Sequence, residues 1–376
     1  MNTETITMNV KPEVAAGKAN WNQIYSLIAL NAAIVISWIA YHNYQPKVLE
    51  IFRFQDLSFF LIVAQSLILV FIPPIAGVVG DRVIRSGGNR FVVFTVGISV
   101  TAMVFMCVAF TVGTASTINL TAALPFMIVI WLISMNIFHS PANSMLEMFA
   151  PAKSLPSAMA LMVMTTELLY ALEPLIVDFV DYIGPVSTFA LGGILLVITG
   201  YFFRRTTRNL TLTRSSEDAR KGESNFLYVL IAGIALGFAV ALIKNYIPQK
   251  VDASAAFEGV AHLSFSGPVV VSMMLGIAAI VAWPMSKAVD RIGTQKGLLY
   301  GLAGTFVCLG GIMLVSNSLL LMVLAFFTAP FFSLASVSAF PFALSKLSVK
   351  NVTLGTGIFF GSIELADGAM NILEKM

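Results

Sequence analysis

Apolar positions along this chain fall in long unbroken stretches, neither alternating as in a half-buried strand nor confined to one helical stripe. A membrane-spanning helix needs about 20 mostly apolar residues. Eleven stretches meet that length, near residues 24–43, 57–80, 91–112, 122–146, 157–179, 186–203, 226–247, 268–288, 297–316, 318–344 and 351–373. Spanning strands would instead show segments of alternating polarity about ten residues long. Phe91 to Val112 is apolar on all sides, and a helix satisfies its own backbone polar groups inside lipid. The pattern predicts an all-α polytopic membrane protein.

Composition supports this. Of 376 residues, 58% are hydrophobic and 11% charged, with a mean hydropathy of +0.88, whereas soluble domains carry about 25% charged residues. A soluble, disordered or disulfide-stapled chain is excluded. Lys and Arg set orientation. With the N-terminus in the cytoplasm, 17 basic residues fall on that side and 5 on the other, which predicts N-in. The net charge of +3 then reports contact with anionic headgroups of the bilayer, not nucleic acid. The first 20 residues are polar and carry no cleavable signal pattern. Cys107 and Cys308 lie inside the third and ninth spans and read as small buried apolar residues. The polar segment from Arg204 to Lys221 reads as a flexible linker. It divides a six-span bundle (1–203) from a five-span bundle (226–376), with 204–225 between them.

An internal repeat relates the two parts. After the second span the chain reads Gly77-Val-Val-Gly-Asp81-Arg82, then Gly88-Asn89-Arg90; after the eighth it reads Ser286-Lys-Ala-Val-Asp290-Arg291-Ile-Gly293, then Lys296. The two Asp-Arg pairs are 209 residues apart, Pro141 and Pro341 are 200 apart, and the two cysteines 201. In these residues the chain resembles the major facilitator superfamily of secondary transporters, whose signature in the loop between spans 2 and 3 is Gly-x-x-x-Asp-Arg-x-Gly-x-Arg/Lys. Here about four extra residues separate Arg82 from Gly88, and Ser286 stands at the first glycine of the second copy. The resemblance implies two pseudo-symmetric helical bundles that rock about a midplane site, and twelve spans. Eleven are seen, and the chain ends at Met376, just past the eleventh. The motif's physics stands apart from the resemblance. Gly77 permits close helix approach, and Asp81 beside Arg82 and Arg90 can form charge-assisted hydrogen bonds that latch two bundles. Asp290 and Arg291 would repeat this latch. The alternative is that the basic residues only obey the positive-inside rule.

Ionisable side chains at bilayer depth are costly and usually functional. Glu167 falls near the middle of the fifth span, and Glu364 and Asp367 share one face of the eleventh. Glu167 and Asp367 are 200 residues apart, which fits the repeat. A carboxyl group in a low dielectric favours its protonated form, as a proton-coupled cycle requires, so these three are the proton-coupling candidates. A structural hydrogen bond to a neighbouring helix is the alternative.

Asn31 in the first span and Asn136, His139, Ser140 and Asn143 on one stripe of the fourth are candidates to line a substrate cavity. The run Asn136-x-x-x-Ser140-Pro141-Ala142 is also weakly similar to sucrose-type glycoside–cation symporters, which carry an Arg and a later Asp where Asn143 and Glu147 stand here. Trp38 and Tyr41 read as interfacial anchors, and Lys244 as a snorkelling lysine. No nucleotide-binding loop, metal-ligand spacing or nucleophile motif is visible, so neither a cofactor nor an enzymatic reaction is expected. The sequence predicts a secondary transporter in a plasma (inner) membrane, moving a small solute by alternating access and coupled to protons. Alternatives are a drug-type exporter and a non-transporting scaffold or assembly factor of the same fold.

Overall fold

The computed structural model describes residues 19–86, 91–115, 121–207, 223–258 and 266–375, and it contains helices and no strands among them. The helices are α1 (Trp21–Ile51), α2 (Ser58–Arg85), α3 (Phe91–Gly113), α4 (Leu124–Ser144), a single turn α5 (Leu146–Phe149), α6 (Leu155–Ala171), α7 (Glu173–Thr207), α8 (Phe226–Ala241), α9 (Ile247–Glu258), α10 (Gly267–Ile292), α11 (Thr294–Leu314), α12 (Ser318–Ser345) and α13 (Val352–Lys375). Nine helical segments among the described residues are long and apolar enough to cross a membrane. The other two predicted spans are helical as well. α6 is short because Pro174 follows it, and α13 carries Glu364 and Asp367 in its length.

Three of the predicted spans are reshaped by proline and glycine. Pro174 has no N–H to give the Tyr170 carbonyl, so the fifth span bends at Leu172 and continues as the first part of α7. At Gly184 the backbone takes φ 79° and ψ 167°, the conformation glycine tolerates before Pro185, and α7 turns back there as the sixth span. α7 then runs to Thr207, past the expected boundary at 203. In the seventh span, Pro248 has no N–H to give the Lys244 carbonyl. The chain forms a π-helical turn over Leu242–Tyr246, with the Ile247 N–H donating to the Leu242 carbonyl, before resuming as α9.

Contacts divide the helices into two bundles. α1, α3, α4 and the second part of α7 pack together with α2 and α6, while α8 and α10 to α13 form the second bundle. The bundles meet chiefly through two pairs, α2 with α13 and α6 with α10. Exchanging second with eighth and fifth with eleventh spans turns one pair into the other, which is the pseudo-two-fold relation of the halves.

Lipid tails are as apolar as leucine, so helix association in a membrane rests on close van der Waals packing and interhelical hydrogen bonds. The α2–α13 seam shows both. A methyl group on Gly77 would lie 2.5 Å from the Thr353 carbonyl oxygen and 2.6 Å from Leu354 Cα. Gly357 and Gly361 bring α13 equally near to the Pro73 and Val70 carbonyls of α2. Within the first bundle, aromatic packing does the corresponding work. Tyr41 stacks on Trp131 with centroids 4.5 Å apart, and Trp38 meets the same indole edge-on at 5.1 Å. Such pairs contribute about 0.5–1.5 kcal/mol each beyond their area. The Tyr41 hydroxyl donates to Gln65 Oε1 of α2 at 3.1 Å. The expectation that Tyr41 anchors at the headgroups is therefore corrected: Tyr41 is buried in the bundle interior, and Trp38 is half-buried.

Candidate functional site

Three faces of α13 do three different things. Gly357, Gly361 and Gly368 face α2, and Phe359, Ser362 and Ile363 pack on Gly233 and Gly237 of α8. The third face carries Phe360, Glu364 and Asp367, at helical spacing i, i+4 and i+7. Phe360 meets His139 of α4, with ring centroids 4.7 Å apart. Glu364 and Asp367 lie within electrostatic range of Lys244.

Lys244 sits in the π turn made by Pro248, and its Nζ lies 4.1 Å from the centre of the Tyr170 ring of α6. Glu167, one turn earlier on α6, and Glu173, at the start of α7, also act electrostatically with this ammonium. His42 of α1 is within the same range. Lys244 and His42 are exposed, and Glu167, Tyr170, Glu173, Glu364 and Asp367 are half-buried. One lysine and four carboxylates from both bundles thus converge between them. Opposite charge brought near in this way is how ionisable groups are tolerated at membrane depth. The backbone breaks at Leu172 and at Leu242–Tyr246 both lie at this site. Irregular backbone at membrane depth is tolerated where it lines a cavity or is buried in protein.

Asn31 of α1 donates from Nδ2 to Thr166 Oγ1 at 2.8 Å, which fixes the residue beside Glu167. Asn136, Ser140 and Asn143 are buried, and His139 is half-buried against Phe360. Asn136 donates to its own helix at the Leu132 carbonyl (2.8 Å), and Ser140 donates across to the Thr353 carbonyl of α13 (3.0 Å). Ser140, with Ser144 beyond it, brings that end of α4 against the start of α13.

The two copies of the Asp-Arg motif differ. Asp81 is 2% exposed and turned to the N-terminus of α13, where its two oxygens accept from the Thr353 N–H (3.3 Å) and the Leu354 N–H (2.9 Å). These are donors that a helix N-terminus leaves without internal partners, and the helix dipole favours an anion there. The carboxylate thus joins α2 to α13 through backbone, and Arg82 beside it is exposed. Arg90 and Gly88 lie outside the described residues. Asp290 and Arg291 are exposed; Asp290 Oδ2 lies 4.0 Å from Lys287 Nζ of its own helix. Ser154, which precedes α6 at the equivalent place, has no side-chain cap. Among the described residues, the repeated latch expected at Asp290 and Arg291 is therefore absent in this arrangement.

Together Asp81, Ser140 and the glycine seam join α2 and α4 to α13. α1 packs within its own bundle on α6 and α7, and its start is tied to α5, where the Asn20 N–H donates to the Phe149 carbonyl (2.8 Å). Among the described residues no group of three His, Cys, Asp or Glu side chains is arranged to hold a metal.

A family model, Major Facilitator Superfamily, matches residues 24–367. The chain belongs to the major facilitator superfamily. A search of curated proteins found no match. Membership agrees with the α2–α13 and α6–α10 pairing, and it makes the chain a multi-pass membrane transporter of that superfamily, whose members are transporters rather than enzymes.

Proposed function

We propose that this transporter moves a small solute by proton-coupled alternating access, with Glu167, Glu364 and Asp367 as the proton carriers. The observation that carries the reading is the meeting of α6 and α13 carboxylates with Lys244 across the bundle boundary. A rocking motion of one bundle (1–203) against the other (226–376), joined by 204–225, alters this set of charges, so proton occupancy and conformation become linked. The basic-residue asymmetry supports an N-in orientation in a plasma membrane. In that orientation the end at which Asp81 meets α13 is cytoplasmic, and the state proposed is the one in which that end is shut. Asp81 serves as the latch of that state.

The test is proton movement into proteoliposomes on addition of sugars, organic anions or organic cations, using wild type, Glu167→Gln and Asp367→Asn. Substrate-dependent proton uptake that disappears in either variant is expected. Solute flux with no proton movement would overturn the coupling, and flux unchanged in both variants would remove these carboxylates from it.

A further inference from the structure

The charge at this site is unbalanced. Four carboxylates, Glu167, Glu173, Glu364 and Asp367, act on one ammonium, Lys244. That ammonium lies 4.1 Å over the face of the Tyr170 ring, at cation–π distance. The site therefore holds a cation already, and the cation is part of the chain. Lys244 is also exposed at the surface of the chain. Its backbone lies in the π turn that Pro248 imposes, and π turns of this kind recur at functional positions.

We propose that the translocated substrate is an organic ammonium ion, and that Lys244 is its tethered competitor. The incoming cation takes the place over the Tyr170 ring and among the Glu167, Glu364 and Asp367 carboxylates, and the lysine ammonium swings aside. An aromatic face beside carboxylates suits an ammonium and repels a carboxylate or phosphate. When no substrate is bound, Lys244 keeps the carboxylates partly neutralised, so the empty carrier can close around them without the full cost of burying unpaired charge. This deepens the transport reading, on which it rests for the word substrate, but binding can be tested without transport.

The experiment is equilibrium binding of n-butylammonium and of n-butyrate to the detergent-purified full chain by calorimetry. The variants are Lys244→Gln, Tyr170→Leu and Tyr170→Phe, each checked for folding by its thermal melt. The amine is expected to bind and butyrate not. Lys244→Gln removes the competitor and is expected to tighten amine binding about tenfold. Tyr170→Leu is expected to weaken it several-fold, and Tyr170→Phe, which keeps the ring, to rescue it. Butyrate binding that is lost in Lys244→Gln, or amine binding weakened by that change, would overturn the proposal. Amine binding without flux in proteoliposomes would instead remove the transport reading and leave the cation site standing. Proton-coupled flux of anions alone would do the reverse.

Discussion

Asp81→Asn is the sharpest perturbation this structure offers, because it alters one oxygen and removes one charge. The carboxylate now accepts from two backbone donors at the start of α13, at 3.3 and 2.9 Å. An asparagine keeps one acceptor and turns an NH₂ group toward the other donor. Hydrogen bonds to charged groups contribute about 1.5–3 kcal/mol, and an anion at a helix N-terminus adds about 0.3–1 kcal/mol. Opening would return the carboxylate to water, so part of this cancels; about 2 kcal/mol of preference for the closed end remains at stake, or ~30-fold in the equilibrium. Ser144 reports on it. It is fully buried, its hydroxyl 3.5 Å from Thr353 Oγ1, and separation of α4 from α13 would expose it. In a background with Cys107 and Cys308 replaced by serine, Ser144→Cys should react with a membrane-impermeant maleimide about 30-fold faster when Asp81→Asn is added. Asp290→Asn should leave the rate unchanged, since that carboxylate is exposed and its ion pair is with Lys287 of its own helix, at 4.0 Å. An unchanged rate in folded Asp81→Asn protein, or an equal acceleration by Asp290→Asn, would refute the reasoning.

Two other changes test the helix seams. Gly77→Ala puts a methyl group 2.5 Å from the Thr353 oxygen; overpacking of this kind costs about 1–3 kcal/mol, so the detergent-purified variant should melt several degrees lower and label faster at Ser144→Cys. Pro248→Ala restores the missing N–H, which lets Leu242–Tyr246 revert to an α-helical turn and turns Lys244 by about 100° relative to α9. Substrate-driven proton uptake should fall about tenfold or more while the thermal melt holds or rises; full uptake would show that the π turn does not position the lysine.

The features legible in the sequence are those that depend on local pattern. Each predicted span is a helix, because twenty apolar residues in sequence leave the backbone no other way to satisfy itself in lipid. The Asp-Arg repeat and the spacing of Glu167 from Asp367 point to related halves, and Lys244 links those two residues electrostatically. The features that are not legible depend on partners distant in sequence. Lys244 looks like a snorkelling residue because its distance from a span end is a one-dimensional quantity; Tyr170 and the α13 carboxylates lie far from it along the chain. Pro248, four residues after it, is the local signal that marks the π turn. Tyr41 looks interfacial for the same reason, yet it hydrogen-bonds Gln65 and stacks on Trp131. The polar stripe of α4 is one face, as its spacing indicates, but spacing does not reveal that Ser140 bonds to the start of α13 and His139 meets Phe360.

The asymmetry between the two motif copies follows from what a cycling carrier needs. The α2–α13 and α6–α10 pairs lie on related sides of the pseudo-two-fold, and both would have to part for the closed end to open. A single clasp of about 2 kcal/mol holds that end shut in roughly 97% of molecules and leaves about 3% open, if other terms balance. A second equal clasp at Asp290 would raise the bias to about 4 kcal/mol and cut the open fraction to ~0.1%. A ligand shifts the balance only by its differential affinity for the two states. With one clasp a tenfold to hundredfold preference is enough to populate the open form; with two, the same ligand would leave most molecules closed. The exposed Asp290, paired with Lys287 of its own helix, keeps the repeat's sequence without its clasp; under the proposed cycle this would keep the two end states close enough in energy for a small solute and a few protons to interconvert them.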